Sequence, residues 1–158
     1  LDGGVKRWSC LSALLFAWST AGAAETACAR FEPAITRLDG RLILRDYAGP
    51  PNYGSVADGD RLERQWILIL DRPLCVAADP DSEINREAVR AVGEVQLVVM
   101  PTSGVRAEGH RGRRIGVEGR LFTAHTGHHR TPVLLVVRSF TPAVAQRADR
   151  TSHPEPSP

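Results

Sequence analysis

The chain has 158 residues, 24% charged and 42% apolar, with a formal net charge of +2. That balance excludes the strongly basic footprint of a nucleic-acid or membrane-surface binder. The length suits one hydrophobic core, and the foldable middle is about 110 residues once both ends are set aside.

At the N-terminus, Lys6 and Arg7 precede an apolar run from Leu11 to Trp18 that leads into the small residues Ala21 to Ala24. A charged start, a short apolar stretch and an A-x-A site are the layout of a secretory signal peptide. The stretch from Trp8 to Ala24 is shorter than the roughly 20 apolar residues of a membrane span, so no transmembrane anchor is expected after its removal. Lipidation at Cys28 is disfavoured by the acid at Glu25, where such a signal needs an apolar residue. Cleavage after Ala23 leaves 18 basic and 17 acidic residues, a nearly neutral chain. It also leaves two cysteines, Cys28 and Cys75, without the C-x-x-C spacing of a redox or metal pair. In an oxidising compartment these two are expected to form one disulfide, and the destination is periplasmic or secreted.

After this segment, short apolar runs alternate with turn-rich stretches, the pattern of a mainly β chain. Thr36 to Tyr47 alternates around Leu38, Leu42 and Leu44, with Gly40 marking a bulge or sharp coil. Ala48 to Gly54, rich in glycine and proline, opens a loop that runs to about Asp60. Arg64 to Leu70 carries Trp66, Leu68 and Leu70 on one face and Ile67 and Ile69 on the other, a strand buried on both sides. Asp71-Arg72-Pro73 then reads as a turn before Leu74 to Val76, and Ile84, Ala88 and Val92 suggest a short helix over 82–92. Glu94 to Met100 alternates cleanly, with Glu94 and Gln96 on the polar side; any helix over 101–112 is short. Arg113 to Thr123, bent at Gly116 and Gly119, and Pro132 to Phe140 complete five strands, joined by a loop over 125–131. Four prolines among residues 141–158 predict a disordered tail.

The reading is therefore a signal peptide over 1–23, a lead-in over 24–34, a five-stranded OB-like barrel with one or two short helices over 35–140, and a proline-rich tail over 141–158. An SH3-like barrel or a small sandwich is the alternative. The segment Gly119 to Leu135, with its Thr126-Gly127-His128-His129 core and Thr131-Pro132-Val133, resembles the signature of a family of small exported bacterial proteins catalogued as a domain of unknown function. Gly49 to Tyr53, Trp66 to Val76 and Glu94 to Val98 extend the resemblance to roughly residues 40–137. It implies the domain and carries no activity with it.

Function is expected in two loops. His125, His128 and His129, three of the chain's five histidines, share one hairpin loop with Thr126 and Arg130. Three imidazoles admit a zinc or copper site, although H-x-x-H-H is not the helical H-E-x-x-H of zinc proteases. The same loop admits partner recognition through Arg130 and the imidazoles, or plain turn chemistry at Thr126, Gly127 and Thr131. Tyr47 and Tyr53 offer stacking surface around the Gly-Pro-Pro loop, and in an OB barrel the two loops border one cleft. The basic cluster Arg106, His110, Arg111, Arg113 and Arg114 reads mainly as a solvated face, and Asp58, Asp60 and Glu63 as charges that keep a loop soluble. No G-x-S-x-G or cysteine–histidine pattern supports nucleophilic catalysis.

Three readings stand side by side. The leading one is a binding module that needs no cofactor and recognises a protein or an envelope glycan, not nucleic acid. The others are a metal-binding protein or metal-dependent hydrolase using the histidine loop, and a structural envelope accessory protein.

Overall fold

Alternating apolar residues that must bury one face give long strands, up to 16 residues in the longest. A computed structural model describes residues 27–143, so the expected signal peptide and the tail beyond 143 lie outside the described residues. Six strands are present: β1 (Ala29–Arg30), β2 (Ile35–Ala48), β3 (Leu62–Ala77), β4 (Val89–Val98), β5 (Arg114–Thr123) and β6 (Val133–Pro142). Two single-turn 3-10 helices, Pro101–Ser103 and Glu108–His110, lie between β4 and β5. The fold is mainly β with few short helices. No described helix is long and apolar enough to cross a membrane.

The pairings close into a ring: β2 runs antiparallel to β3 and to β5, β5 to β6 and β3 to β4, while β4 and β6 pair in parallel. β1 adds to β3 in parallel, outside the ring. Gly40 sits where β2 changes partners, opposite both Leu70 and Ile115. A Cβ at that position would run into the Ile69 carbonyl, so the two strands approach this closely only over glycine. Leu42, Leu68, Val95, Leu97, Val117, Leu121, Leu135 and Val137 fill the interior, with Trp66 packed against them.

A second buried row lies on the opposite face of the sheet. Ile67, Gln96, Leu134 and Phe122 are direct neighbours across β3, β4, β6 and β5, and all four are buried. Both faces of β3 are therefore covered at its centre, as its sequence predicted. Past Trp66 and Leu97 the β3–β4 ladder stops, and the β2–β5 ladder stops at Arg41. The far ends of β2 and β3, Arg45 to Ala48 with Leu62 to Gln65, run on as a two-stranded arm tipped by the loop 49–61.

Two local expectations are corrected. Residues 82–92 form no helix: Ile84 and Ala88 face solvent, β4 begins at Val89, and the side chain that turns inward is Asn85. Its Oδ1 accepts the Thr123 N–H at 2.9 Å, and its own N–H donates to Ser82 Oγ at 3.1 Å, so a polar anchor replaces a helical stripe. The Asp71-Arg72-Pro73 turn is likewise absent, because β3 continues through it. The β3–β4 register shifts between Ile69 and Leu74 instead, an irregularity that absorbs a proline without ending the strand.

Cys28 and Cys75 lie at disulfide distance, Cα to Cα 4.7 Å, directly beside the Ala29–Val76 pair that seats β1 on β3. A cross-link between residues 47 apart in sequence removes unfolded-state entropy, about 3 to 4 kcal/mol. Reduction, or the double change Cys28→Ala and Cys75→Ala, is expected to lower unfolding free energy by that order in a urea titration. A change under about 1 kcal/mol would mean that the pair does not restrain the unfolded chain.

Candidate binding site

The histidine loop is shaped first by its own backbone. Ala124 N–H donates to the Pro132 carbonyl at 3.1 Å and His129 N–H to the Thr126 carbonyl at 3.1 Å, closing a compact turn. His129 Nδ1 accepts the N–H groups of His125 (2.9 Å) and Thr126 (3.3 Å), while His125 Nδ1 lies 2.9 Å from the Thr123 carbonyl. The imidazoles of His125 and His129 meet edge to face at 4.6 Å, and both rest on Phe122.

Gln96 fastens this loop to the sheet. Its side-chain oxygen accepts the Arg130 N–H at 2.6 Å, and its amide nitrogen donates to the His128 carbonyl at 3.2 Å and to Gln65 Oε1 at 3.1 Å. Its backbone N–H donates to Thr131 Oγ1 at 2.8 Å, and that hydroxyl donates onward to the Val133 carbonyl. Gln96, expected on the polar side of its strand, is 4% exposed, because the loop folds over it.

The loop 49–61 is organised by another buried polar group. Asp60 accepts the N–H groups of Asn52 (2.8 Å), Gly54 (2.7 Å) and Ser55 (3.0 Å). The Asn52 amide above all, helped by the other two, holds the Asp60 carboxyl below its ordinary value against the cost of desolvation. Two backbone bonds, Gly49 N–H to the Arg61 carbonyl and Arg61 N–H to the Pro50 carbonyl, close the base. Between them Tyr53 is held in the left-handed region at φ 59°, a conformation that a bulky residue adopts only when its surroundings fix it.

Tyr53 brings the two loops together. Its hydroxyl lies 3.4 Å from His128 Nε2, and its ring lies over Gly127, where a Cβ would come within 2.9 Å of the ring. The Arg130 guanidinium stands between the rings of Tyr47 (5.1 Å) and Tyr53 (5.3 Å), a cation over two aromatic faces. From there it donates to the Ala48 carbonyl at 2.7 Å and to Glu63 Oε2 at 2.9 Å, while His128 Nδ1 lies 2.7 Å from Glu63 Oε1. Burial opposes ionisation of Glu63, yet hydrogen bonds from Arg130 and His128 outweigh it and hold the carboxyl below its ordinary value. Beside this cluster Arg45 grips Glu94 with two bonds, 2.6 and 2.9 Å, and that grip keeps Glu94 ionised.

A groove of about 490 Å³ opens along the end of β4. Trp66, Leu97, Val99 and Val105 give it apolar walls, and Gln65, Arg106, Glu108, His128 and His129 a polar rim. Inner-face and outer-face residues line it together because β3 and β4 have parted there. Met100, 46% exposed, stands at its margin.

Of the residues singled out from sequence, Tyr47, Tyr53, His128 and Arg130 converge with Glu63. His125, Thr126 and His129 form a separate group over Phe122. The three imidazoles do not converge on one point, and among the described residues no group of three or more His, Cys, Asp or Glu side chains is placed to hold a metal ion. The basic cluster is dispersed: Arg114 pairs with Asp71, His110 packs on Phe140, and Arg106 lines the groove. Sequence reasoning missed Gln96, Asp60 and Glu63. One signal was present in the glycine of Thr126-Gly127-His128, which is small because another loop lies on it.

Residues 94–141 match the family model described as Domain of unknown function (DUF4431). No curated protein matches the chain, and no solved structure does. The DUF4431 match takes in Gln96, the groove's 101–108 wall and the whole histidine loop, whereas Tyr47, Tyr53 and Glu63 lie before it.

Replacing Gln96 with Leu keeps the volume and strands the Arg130 N–H and the His128 carbonyl. An expected loss of about 2 to 3 kcal/mol, read by urea unfolding, should come with faster hydrogen exchange confined to 124–131. Acid acts on the carboxylates in a defined direction. Asp60 and Glu63 have folded pKa values below their unfolded ones, so their contribution is complete above the unfolded values and is lost as pH falls through the folded ones. Below about pH 4, two-dimensional NMR should show the Asn52, Gly54 and Ser55 amides losing their protection, and Asp60→Asn should produce the same change at neutral pH.

Proposed function

We propose that this chain is an exported, OB-like binding module that recognises an envelope component or a protein partner through the 48–60 and 124–131 loops and the groove beside them. Numbering β2 to β6 as strands one to five, the pairing order runs 1-2-3-5-4-1, a ring-like order that supports the OB-like reading. In that fold ligands lie on strands two and three between the first and fourth connections, and here the groove occupies β3 and β4 next to the histidine loop. The observation that carries the reading is the locked pair of loops, fixed by Glu63, Arg130 and Tyr53, at the border of a groove with apolar walls and a polar rim. A volume of about 490 Å³ suits a few residues of peptide or two to three sugar units. Export is supported by the N-terminal signal-like sequence and by the cysteine pair at disulfide distance.

Titrating the isotope-labelled chain with soluble peptidoglycan fragments, and separately with short unstructured peptides, tests the reading by NMR. Amide shifts centred on Gln65, Val99, Met100 and His128, weakened at least about tenfold by Met100→Asp, are expected for one of the two; tenfold corresponds to about 1.4 kcal/mol. Shifts confined to another face, or none with either probe at millimolar concentration, would remove these loops as the recognition surface.

A further inference from the structure

We propose that the His125–His129 turn is an acid-released latch: with His129 neutral the turn lies closed over Phe122 on the outer face, and a proton on His129 Nδ1 frees the His125 and Thr126 amides that it holds. The proposal rests on the binding reading only for its consequence, since the opening is measurable without any ligand.

The closed loop demands different things of its three imidazoles. His129 Nδ1 accepts two backbone N–H groups, from His125 and Thr126, so it must carry a lone pair and the ring's proton must sit on Nε2. A second proton can enter only at Nδ1, where it would point at two donors and turn two attractive contacts into repulsive ones. His128 and His125 face no such conflict. His128 Nδ1 points at the Glu63 carboxylate and His125 Nδ1 at the Thr123 carbonyl, both of which are acceptors.

The surroundings reinforce the asymmetry. On its own loop His129 meets His125 edge to face, with His128 one residue away. From β5 it meets Phe122, which is apolar, and from β4 the neutral Gln96 fastens the loop backbone around it. Across the groove stand one cation and one anion, Arg106 and Glu108. Burial, followed by the charges of His125 and His128, holds His129 below its ordinary value of 6.5. An imidazole that is harder to protonate in the closed loop than in the open one makes opening more favourable as pH falls. The open fraction therefore grows as pH drops through about 6.5, by up to about tenfold per unit, and levels off below the closed-state value.

Opening has a definite consequence. Ile67, Leu134 and Phe122 lie on the face away from the core, and Phe122 is roofed by the two imidazoles. Releasing the His125 and His129 rings uncovers Phe122 beside the groove that His129 lines, while Gln96 and Glu63 keep His128 and Arg130 in place, so acid converts a closed polar rim into an apolar extension of the site. Above neutral pH the ring keeps its lone pair and the latch stays shut.

The test is an NMR pH titration from 7.5 to 4.8 on the chain without ligand, above the range where Asp60 and Glu63 protonate. Nitrogen shifts should show His129 as the Nε2–H tautomer when neutral. The protection factors of the His125 and Thr126 amides should fall by roughly tenfold or more with the midpoint of that ring, while core amides such as those of Leu68 and Leu135 hold theirs. His129→Asn places a non-titrating acceptor where Nδ1 stood and should keep both amides protected at pH 5, whereas His128→Asn should still open. Opening of His129→Asn at pH 5 as in the unaltered chain would overturn the proposal, as would protection of the two amides unchanged across His129's own titration. Binding at pH 7.5 by any probe, or its absence, bears on the recognition reading alone.

Discussion

A carboxylate held at 17% exposure between two loops stays ionised only if donors replace the water it has lost. Glu63 has two, the Arg130 guanidinium and His128, and each comes from a chain segment more than 60 residues away. Everything distinctive at this end of the molecule follows from satisfying that one group. Arg130 reaches it only by lying between Tyr47 and Tyr53, Tyr53 takes its left-handed backbone to lie over Gly127, and Asp60 fixes the loop that holds Tyr53. Removing the carboxylate would leave a largely buried guanidinium without its anion, the costliest kind of loss in such a cluster.

The same logic separates the loop histidines into two roles. His128 faces a carboxylate and a phenol and belongs to the junction between loops. His125 and His129 face backbone groups and Phe122 and belong to the roof over the sheet. Three imidazoles in seven residues look like a ligand set in sequence, yet hydrogen-bond geometry assigns each ring a partner already at hand.

Much of the architecture was legible because it is local. Alternation at Val95, Leu97 and Val99, and double-sided apolarity at Trp66 to Leu70, found the strands, and Gly40 marked the coil. The errors came where a distant contact overrode the local pattern. Ile84 and Ala88 have helical spacing but nothing to pack on, whereas Asn85 finds Thr123. Pro73 reads as a stop, but a register shift accommodates it inside β3. Gln96 reads only as part of the polar side of its strand, because alternation cannot report that residues 128–131 fold back over it. Tyr47, Tyr53, His128 and Arg130 were found as conspicuous residue types, while Asp60 and Glu63 were passed over, since an acid in a loop signals solubility until its donors are known.

The parallel contact that completes the ring is only three residue pairs long, from Gln96 with Leu134 to Val98 with Val136. It is the shortest seam in the circuit of strands, and one of its members, Gln96, also pins the histidine loop. Ring closure and loop attachment are thus a single mechanical joint. All three β4 members of the seam, Gln96, Leu97 and Val98, also line the groove, so the closure of the ring, the anchorage of the loop and one wall of the groove are the work of the same short stretch of chain.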